Sequence, residues 1–188
     1  MAEPLLVLPR VAIAAIPPRA RLVLRGDPAV AARVAAAFGV VPPVAMLTSS
    51  LADGGVRAML RLGPDEWWLL AEDAVGAAAA PALAAPLEAA AAVAREGGGF
   101  ASVVDVSHRH CGFALSGPGA AALLNEGCPL DLDSAAFPPG ACTRSLFGKV
   151  EILPWRRAPD RFEVEVGRSL AAALQALLAE AAADLDTP

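Results

Sequence analysis

Short apolar segments separated by proline, glycine and charged residues run along most of the chain, and they predict β-strands joined as hairpins. Residues 56–62 largely alternate apolar and polar side chains, residues 63–66 are a turn signal, and residues 67–71 are a second apolar segment. These three segments predict one hairpin. The other predicted strands are residues 5–8, 11–16, 22–24, 100–106, 111–115, 142–147, 150–155 and 162–166. Of these, we expect residues 100–106 and 111–115 to pair with each other.

Four segments are predicted to be helices. The first is capped by Asp27, carries Pro28 at its first position and ends at Gly39, which are residues typical of those places. The others are residues 75–95, in which Pro81 and Pro86 are expected to cause a break or kink, residues 117–127, and a final helix with Ser169 at its N-cap. The final helix is expected to bury Leu170, Leu174, Leu177, Leu178 and Ala181 on one face.

Hairpins followed by helices, without β-α-β-α alternation, predict an α+β fold with antiparallel sheets and packed helices, and they argue against a parallel Rossmann-type sheet. Three consecutive glycines at residues 97–99 are the best internal linker. We therefore expect an N-terminal α+β subdomain at residues 1–98 and a C-terminal one at residues 99–188. The two are either separate or intertwined in one domain.

Composition excludes several classes of function. The net charge is −5, the pI is about 5.0 and tyrosine is absent, so the chain lacks the basic surface and stacking platforms of a nucleic-acid binder. Its three cysteines show no C-x-x-C spacing, which favours a reducing, cytoplasmic location and argues against a zinc ribbon. The N-terminus has no basic signal-peptide region, and prolines interrupt the most apolar segment, so we expect no membrane span.

Two histidines provide the first candidate chemistry. His108 and His110 are two positions apart in a strand-like segment, so their side chains are expected on one face. A metal site would need further ligands, for which Asp105 and Cys111 are the nearest residues. The favoured interpretation is two partly exposed histidines without a metal.

Cys128 and the segment Ser116–Gly119 are two further candidates. Cys128 could be a nucleophile if a histidine reached it, but free cysteines are most often small buried residues, so we favour a core position. Residues 116–119 superficially suggest a phosphate loop. However, they lack the G-x-x-x-x-G-K-[ST] pattern and include a proline without an N–H donor, so we favour a turn between a strand and a helix.

No general acid–base pair, nucleophile–His–Asp set or dinucleotide fingerprint stands out, which favours a binding or assembly module over a self-sufficient enzyme. Adjacent tryptophans in a strand face opposite sides, so one is expected in the core and the other is either exposed to a partner or buried. The charged candidates are strand-end or turn residues that either meet a partner or are solvated. The candidate interface residues are Trp67, Trp68, Asp105, His108, Arg109, Arg144 and Arg168.

An ordered series of motifs resembles the gamma subunit family of heterotetrameric sarcosine oxidase. The series extends from about residue 60 to the C-terminus. Its members are residues 62–67 (LGPDEW), 104–109 (VDVSHR), 115–118 (LSGP), 127–132 (GCPLDL), 137–144 (FPPGACTR), the turn at residues 148–149, residues 162–166 (FEVEV) and residues 168–169.

The resemblance implies a fold similar to that of the tetrahydrofolate-binding aminomethyltransferases. It also implies a four-subunit enzyme that demethylates sarcosine to glycine, reduces oxygen to hydrogen peroxide and passes the one-carbon unit to tetrahydrofolate. In that family FAD, FMN, NAD, tetrahydrofolate and zinc are expected on the alpha, beta and delta subunits. The gamma-like chain is expected to dock mainly on alpha and to have no cofactor or catalytic residue of its own. The alternative is a stand-alone folate-binding or aminomethyltransferase-like protein, in which Asp105 would meet the pterin or the folate amine.

Overall fold

The computed structural model describes residues 4–52, 54–74, 79–96 and 98–185. Within these ranges the strands form one six-stranded and one five-stranded sheet, all strand pairs are antiparallel, and helices pack on the sheets. The predicted α+β class is therefore confirmed. The elements are β1 (Pro4–Val7), β2 (Ala12–Ala15), β3 (Ala20–Gly26), α1 (Pro28–Phe38), β4 (Thr48–Leu51), β5 (Arg57–Arg61), β6 (Glu66–Ala71), α2 (Ala79–Glu96), β7 (Ala101–Asp105), β8 (His110–Ser116), α3 (Ala120–Asn125), β9 (Ser145–Phe147), β10 (Val150–Ala158), β11 (Arg161–Gly167), a 3₁₀ turn (Arg168–Leu170) and α4 (Ala171–Leu185).

Contacts group the chain into two compact units, each with its own sheet. One unit is Pro18–His108, and the other combines Met1–Pro17 with Arg109–Pro188. This division differs from the sequence boundary at residues 98 and 99. It differs because β7, which follows that boundary, pairs with β3, whereas the N-terminal strand β2 pairs with β8.

The unit Pro18–His108 contains the sheet β4-β5-β6-β3-β7, with α1 and α2 packed on one face. Leu22, Leu24 and Trp67 project from the central strands into that core, where they meet Phe38 of α1 and Leu87 of α2. The alternation of side chains along each strand places these residues on one face of the sheet. The predicted hairpin of β5 and β6 is confirmed, with Met59 opposite Leu69.

Local sequence signals determine both ends of α1. The Asp27 side chain accepts a hydrogen bond of 2.8 Å from the Val30 N–H, Pro28 occupies the first helical turn, and Gly39 ends the helix in the left-handed conformation at φ +79°. The predicted caps are confirmed. In contrast, α2 continues through Pro86. Residues 75–78 of the predicted helix lie outside the described residues. None of the described helices is long and apolar enough to cross a membrane.

The unit formed by the two ends of the chain contains the sheet β1-β2-β8-β11-β10-β9. Its core lies between the sheet and the helices α3 and α4, and includes Phe113 and Leu115 of β8 and Phe162 and Val164 of β11. The predicted pairing of residues 100–106 with residues 111–115 is wrong. β7 and β8 belong to different sheets, because each finds its partners far away in sequence rather than across the short connection between them.

The final helix begins later than the sequence suggests. Ser169 lies inside a 3₁₀ turn that precedes α4 and is not the residue directly before the helix, so the prediction of Ser169 as the N-cap is wrong. Leu174, Leu178 and Ala181 are buried as predicted, and Leu177 is half-buried. Leu170 is exposed because it lies in the 3₁₀ turn, where the 3.6-residue helical periodicity does not yet apply.

Candidate functional site

Both candidate tryptophans of β6 are buried. Trp67 lies in the core beneath the helices, and Trp68 points to the opposite face of the sheet with only 5% of its surface exposed. Of the two alternatives for the second indole, the structure therefore shows burial. Neither ring is available as an exposed anchor on this chain.

Asp105 ends β7 in a hydrogen-bonded turn. Its Oδ1 accepts hydrogen bonds from the Ser107 backbone N–H at 2.8 Å and from the Ser107 hydroxyl at 2.5 Å. The same hydroxyl oxygen accepts a hydrogen bond of 2.9 Å from the Arg21 backbone N–H. This oxygen of Asp105 thus fixes the local backbone, as is typical of aspartate after a strand.

The histidines do not form a metal site with other described residues. His108 is exposed and His110 is half-buried. Across the described ranges, no group of three or more histidine, cysteine or carboxylate side chains is placed to hold a metal ion. Structural zinc requires four such ligands in a tetrahedral arrangement.

Two of the candidate arginines lie on neighbouring segments. The Arg168 backbone N–H donates a hydrogen bond of 2.8 Å to the Arg109 carbonyl, which joins the end of β11 to the start of β8. Both side chains are exposed, and Arg144 is exposed before β9. The structure therefore brings Arg109 and Arg168 together.

Cys128 and the backbone N–H groups of the segment Ser116–Gly119 make their contacts within the protein. Cys128 is buried, and its Sγ lies 3.3 Å from the hydroxyl of Ser145. The Gly117 and Gly119 N–H groups donate to the carbonyls of Asp160 and Arg10, each at 2.9 Å, so both donors are occupied within the protein. The favoured interpretations, a buried cysteine and a strand-to-helix turn, are confirmed.

A charged contact next to the five-stranded sheet perturbs one carboxyl group. Arg57 Nη2 lies 2.8 Å from Asp73 Oδ2, and Arg57 Nη1 donates to the Phe38 carbonyl at 3.0 Å. Hydrogen bonding to Arg57 is the main cause that holds the pKa of Asp73 below its ordinary value of 3.8. This contact ties the end of α1 to the segment that follows β6.

Each unit also has a surface cavity with a charged rim. The cavity between α3, α4 and the turn after β9 has a volume of about 210 Å³ and is lined by Glu126, Glu180 and Asp184 around Phe147 and Leu177. The cavity beside the start of α1 has a volume of about 270 Å³ and includes Asp27 and Arg33 in its lining. Both linings thus combine charged and apolar side chains.

Sequence reasoning missed an exposed apolar segment between α1 and β4. We call residues 41–47 the apolar loop. Val41, Val44, Met46 and Leu47 expose 78%, 89%, 56% and 46% of their surfaces, respectively. The signal in the sequence is a stretch from residue 34 to residue 52 without any charged side chain, interrupted by two adjacent prolines.

Hydrogen bonds hold the apolar loop in one conformation. Arg61 Nη1 donates to the Val44 carbonyl, the Thr48 hydroxyl donates to the Ala45 carbonyl at 2.7 Å, and the Ser50 hydroxyl donates to the Val41 carbonyl. Leu47 has φ +61°, the only positive φ among the described non-glycine residues, and its N–H donates to the Arg61 carbonyl at 2.8 Å. A leucine in this region is strained and persists only where the surroundings hold it there.

Comparison with known proteins first identifies a family. The model of the sarcosine oxidase, gamma subunit family matches residues 24–184. The curated sarcosine oxidase subunit gamma of an Arthrobacter species is 32% identical over 134 residues, which cover 71% of this chain and 60% of that protein. The match thus spans about three fifths of the length of this relative.

Comparison with solved structures agrees with the fold. A chain of the heterotetrameric sarcosine oxidase from Corynebacterium sp. U-96 has a TM-score of 0.81 and 27% identity, over 95% of this chain and 86% of that chain. The aminomethyltransferase T of the Bartonella henselae glycine cleavage system has a TM-score of 0.60 at 20% identity, over 90% of this chain and 45% of that chain. The second similarity shows the aminomethyltransferase-like fold alone, as the motif series implies. By the extent of the family match, this chain belongs to the sarcosine oxidase gamma subunit family.

Proposed function

We propose that this chain is an accessory subunit of a heterotetrameric sarcosine oxidase. The observation that carries the proposal is the structural match to a chain of such a heterotetramer over 95% of this chain. In the proposed complex, sarcosine, oxygen and tetrahydrofolate give glycine, hydrogen peroxide and 5,10-methylenetetrahydrofolate. The methyl carbon moves to folate, and the electron pair removed from sarcosine reduces oxygen.

The proposed role of this chain is assembly rather than chemistry. FAD, FMN, NAD, tetrahydrofolate and zinc would be held by the alpha, beta and delta subunits, alpha would be the main contact of this chain, and the complex would be cytoplasmic. Among the candidate residues, the Asp105 carboxylate fixes its own turn, Cys128 is buried beside Ser145, and Trp67 is in the core. These structural duties support a subunit without a catalytic residue of its own.

The test is recovery of the tagged chain from its native cell. A strain that carries the tagged chain in place of the endogenous copy is grown on sarcosine, and the purified material is examined for partner masses, a visible flavin spectrum and sarcosine-dependent hydrogen peroxide. We expect a yellow complex with three further subunits. A matched strain that lacks the chain controls for the activity of the other subunits.

A different outcome would support the alternative of a stand-alone folate protein. A colourless protein recovered alone, in a cell that retains full sarcosine oxidase activity without it, would overturn the proposal. Titration of that protein with tetrahydrofolate would then be the next measurement, with Asp105→Asn as the variant that weakens binding if Asp105 meets the pterin.

A further inference from the structure

The apolar loop exposes several hydrophobic side chains that are close together in sequence. Its four exposed side chains lie within seven residues and leave on the order of 400 Å² accessible, which is comparable to the largest patch on a typical monomer. That is about half of the roughly 800 Å² that each partner buries in a standard interface. The loop is therefore large enough to form the central part of an interface.

The charge pattern of the loop is also that of an interface core. No charged side chain occurs between residues 34 and 52. Arg61, which contacts the loop, directs Nη1 to the Val44 carbonyl and lies 5.4 Å from the centre of the Trp67 ring. The centres of protein interfaces are depleted in charge in this way.

The loop conformation is fixed before any partner binds. Three side chains donate to the carbonyls of Val41, Val44 and Ala45, and residues 42–43 are prolines with restricted φ. A segment that is already ordered loses little conformational entropy on association. The left-handed conformation of Leu47, with φ +61°, is held in the same way by the hydrogen bond from its N–H to the Arg61 carbonyl.

We propose that the apolar loop is the surface by which this chain docks on another subunit of its complex, with Val41, Val44 and Met46 inserted into an apolar groove of that subunit. This inference rests on the proposed function, which supplies a partner. The structural match to a chain of a heterotetramer favours a different subunit over a second copy of this chain as the occupant.

The experiment places charge on the loop without touching the core. The double variant Val44→Glu/Met46→Glu is expressed, tagged, in the native cell in place of the endogenous copy. Both side chains are more than half exposed, so the variant folds, which circular dichroism of the purified chain verifies. We expect recovery of the other subunits to fall by more than about tenfold, because the new carboxylates would be buried without a partner in the groove.

A matched variant controls for surface charge alone. Val93→Glu introduces the same group on α2 of the same unit, at a residue that is 50% exposed and distant in sequence from the loop. It should recover the partners within about twofold of the unmodified chain. Val44→Leu, which keeps an apolar side chain, should also retain them.

The outcomes separate this inference from the proposed function. Recovery of the partners by the double variant at the level of the unmodified chain would overturn the inference and leave the proposed function intact. An unmodified chain that recovers no partner would overturn the proposed function, and the inference with it. A homodimer of the unmodified chain that the double variant dissociates, detected by light scattering, would assign the loop to a second copy and would also overturn the inference.

Discussion

Replacement of Arg156 by methionine should strongly destabilise the unit that contains the six-stranded sheet. The guanidinium group of Arg156 is buried and donates to three backbone carbonyls: Nη1 to Leu132 at 3.1 Å and Phe137 at 2.8 Å, and Nη2 to Pro159 at 2.6 Å. It also lies 5.0 Å from the centre of the Phe162 ring. Arg156 thus joins the segment before β9 to the hairpin of β10 and β11.

The magnitude follows from the groups left behind. Methionine keeps most of the apolar stem but donates no hydrogen bond, so two fully buried carbonyls lose their donor at about 1–3 kcal/mol each. Relief from burying a cation offsets part of this cost. We expect Arg156→Met to lower the free energy of unfolding by about 2–4 kcal/mol, which for a chain of this size corresponds to a fall in Tm of roughly 5–15 °C.

The assay is thermal unfolding of the purified chain, followed by far-ultraviolet circular dichroism. Arg161→Met is the matched control because Arg161 is an exposed arginine at the start of β11 in the same hairpin, and it should change the stability by less than about 0.5 kcal/mol. Arg156→Lys should lie between the two, since an ammonium group can reach some of the carbonyls but not all three. If Arg156→Met matched Arg161→Met, the guanidinium would not be holding these segments together.

Three further perturbations test other features of the structure. Asp73→Asn should destabilise the chain by less than about 1 kcal/mol at neutral pH, because solvent screens the pair with Arg57. The pKa of Asp73 is lowered in the folded state, so this difference in stability should disappear as the pH falls from 3.8 through the folded-state pKa. A difference that grows with acid would contradict the assignment. Gly117→Ala should lower the free energy of unfolding in urea by more than about 2 kcal/mol, because φ is +116° and the new Cβ would lie 2.5 Å from the Arg10 carbonyl oxygen. Gly167→Ala is the control and should change the stability only slightly, since its new Cβ would have no neighbour outside the adjacent residues within 4 Å. His108→Ala should leave the sarcosine-dependent peroxide rate of the purified complex within about twofold, since this exposed residue has no catalytic role in the proposed subunit; a loss beyond about a hundredfold would place it in the chemistry.

Local signals allowed much of the fold to be predicted from the sequence. Asp27 and Gly39 determine α1 through contacts made within a few residues of each end, and the turn at residues 63–66 joins two adjacent strands. These features depend on short-range chemistry that a single sequence contains. The partners of β7 and β8 depend on residues far away in the chain, so sequence pattern alone led to the wrong pairing.

The candidate interface was harder to predict for a different reason. Val44 and Met46 resemble core residues in the sequence, since composition does not distinguish a buried apolar segment from an exposed one. β4 was not predicted because the sequence TSSL lacks apolar alternation, and without β4 the hydrogen bonds that position the apolar loop could not be anticipated. Either Trp67 or Trp68 was a candidate for an exposed anchor, but both are buried.

The discontinuous unit determines the order in which the chain can fold during synthesis. Strand β2 pairs with β8, with Ala12 opposite Ser116, so the N-terminal hairpin has no neighbouring strand until the whole of Pro18–His108 has left the ribosome. Pairs this distant in sequence carry a high contact order and form slowly. The unit Pro18–His108 can fold first, while β1 and β2 remain a hairpin in which the edge of β2 that later pairs with β8 is exposed. A pause in translation before β8 would therefore prolong the aggregation-prone state of this protein, and a pause between β8 and β11 would also do so because the apolar face of β8 is not yet covered.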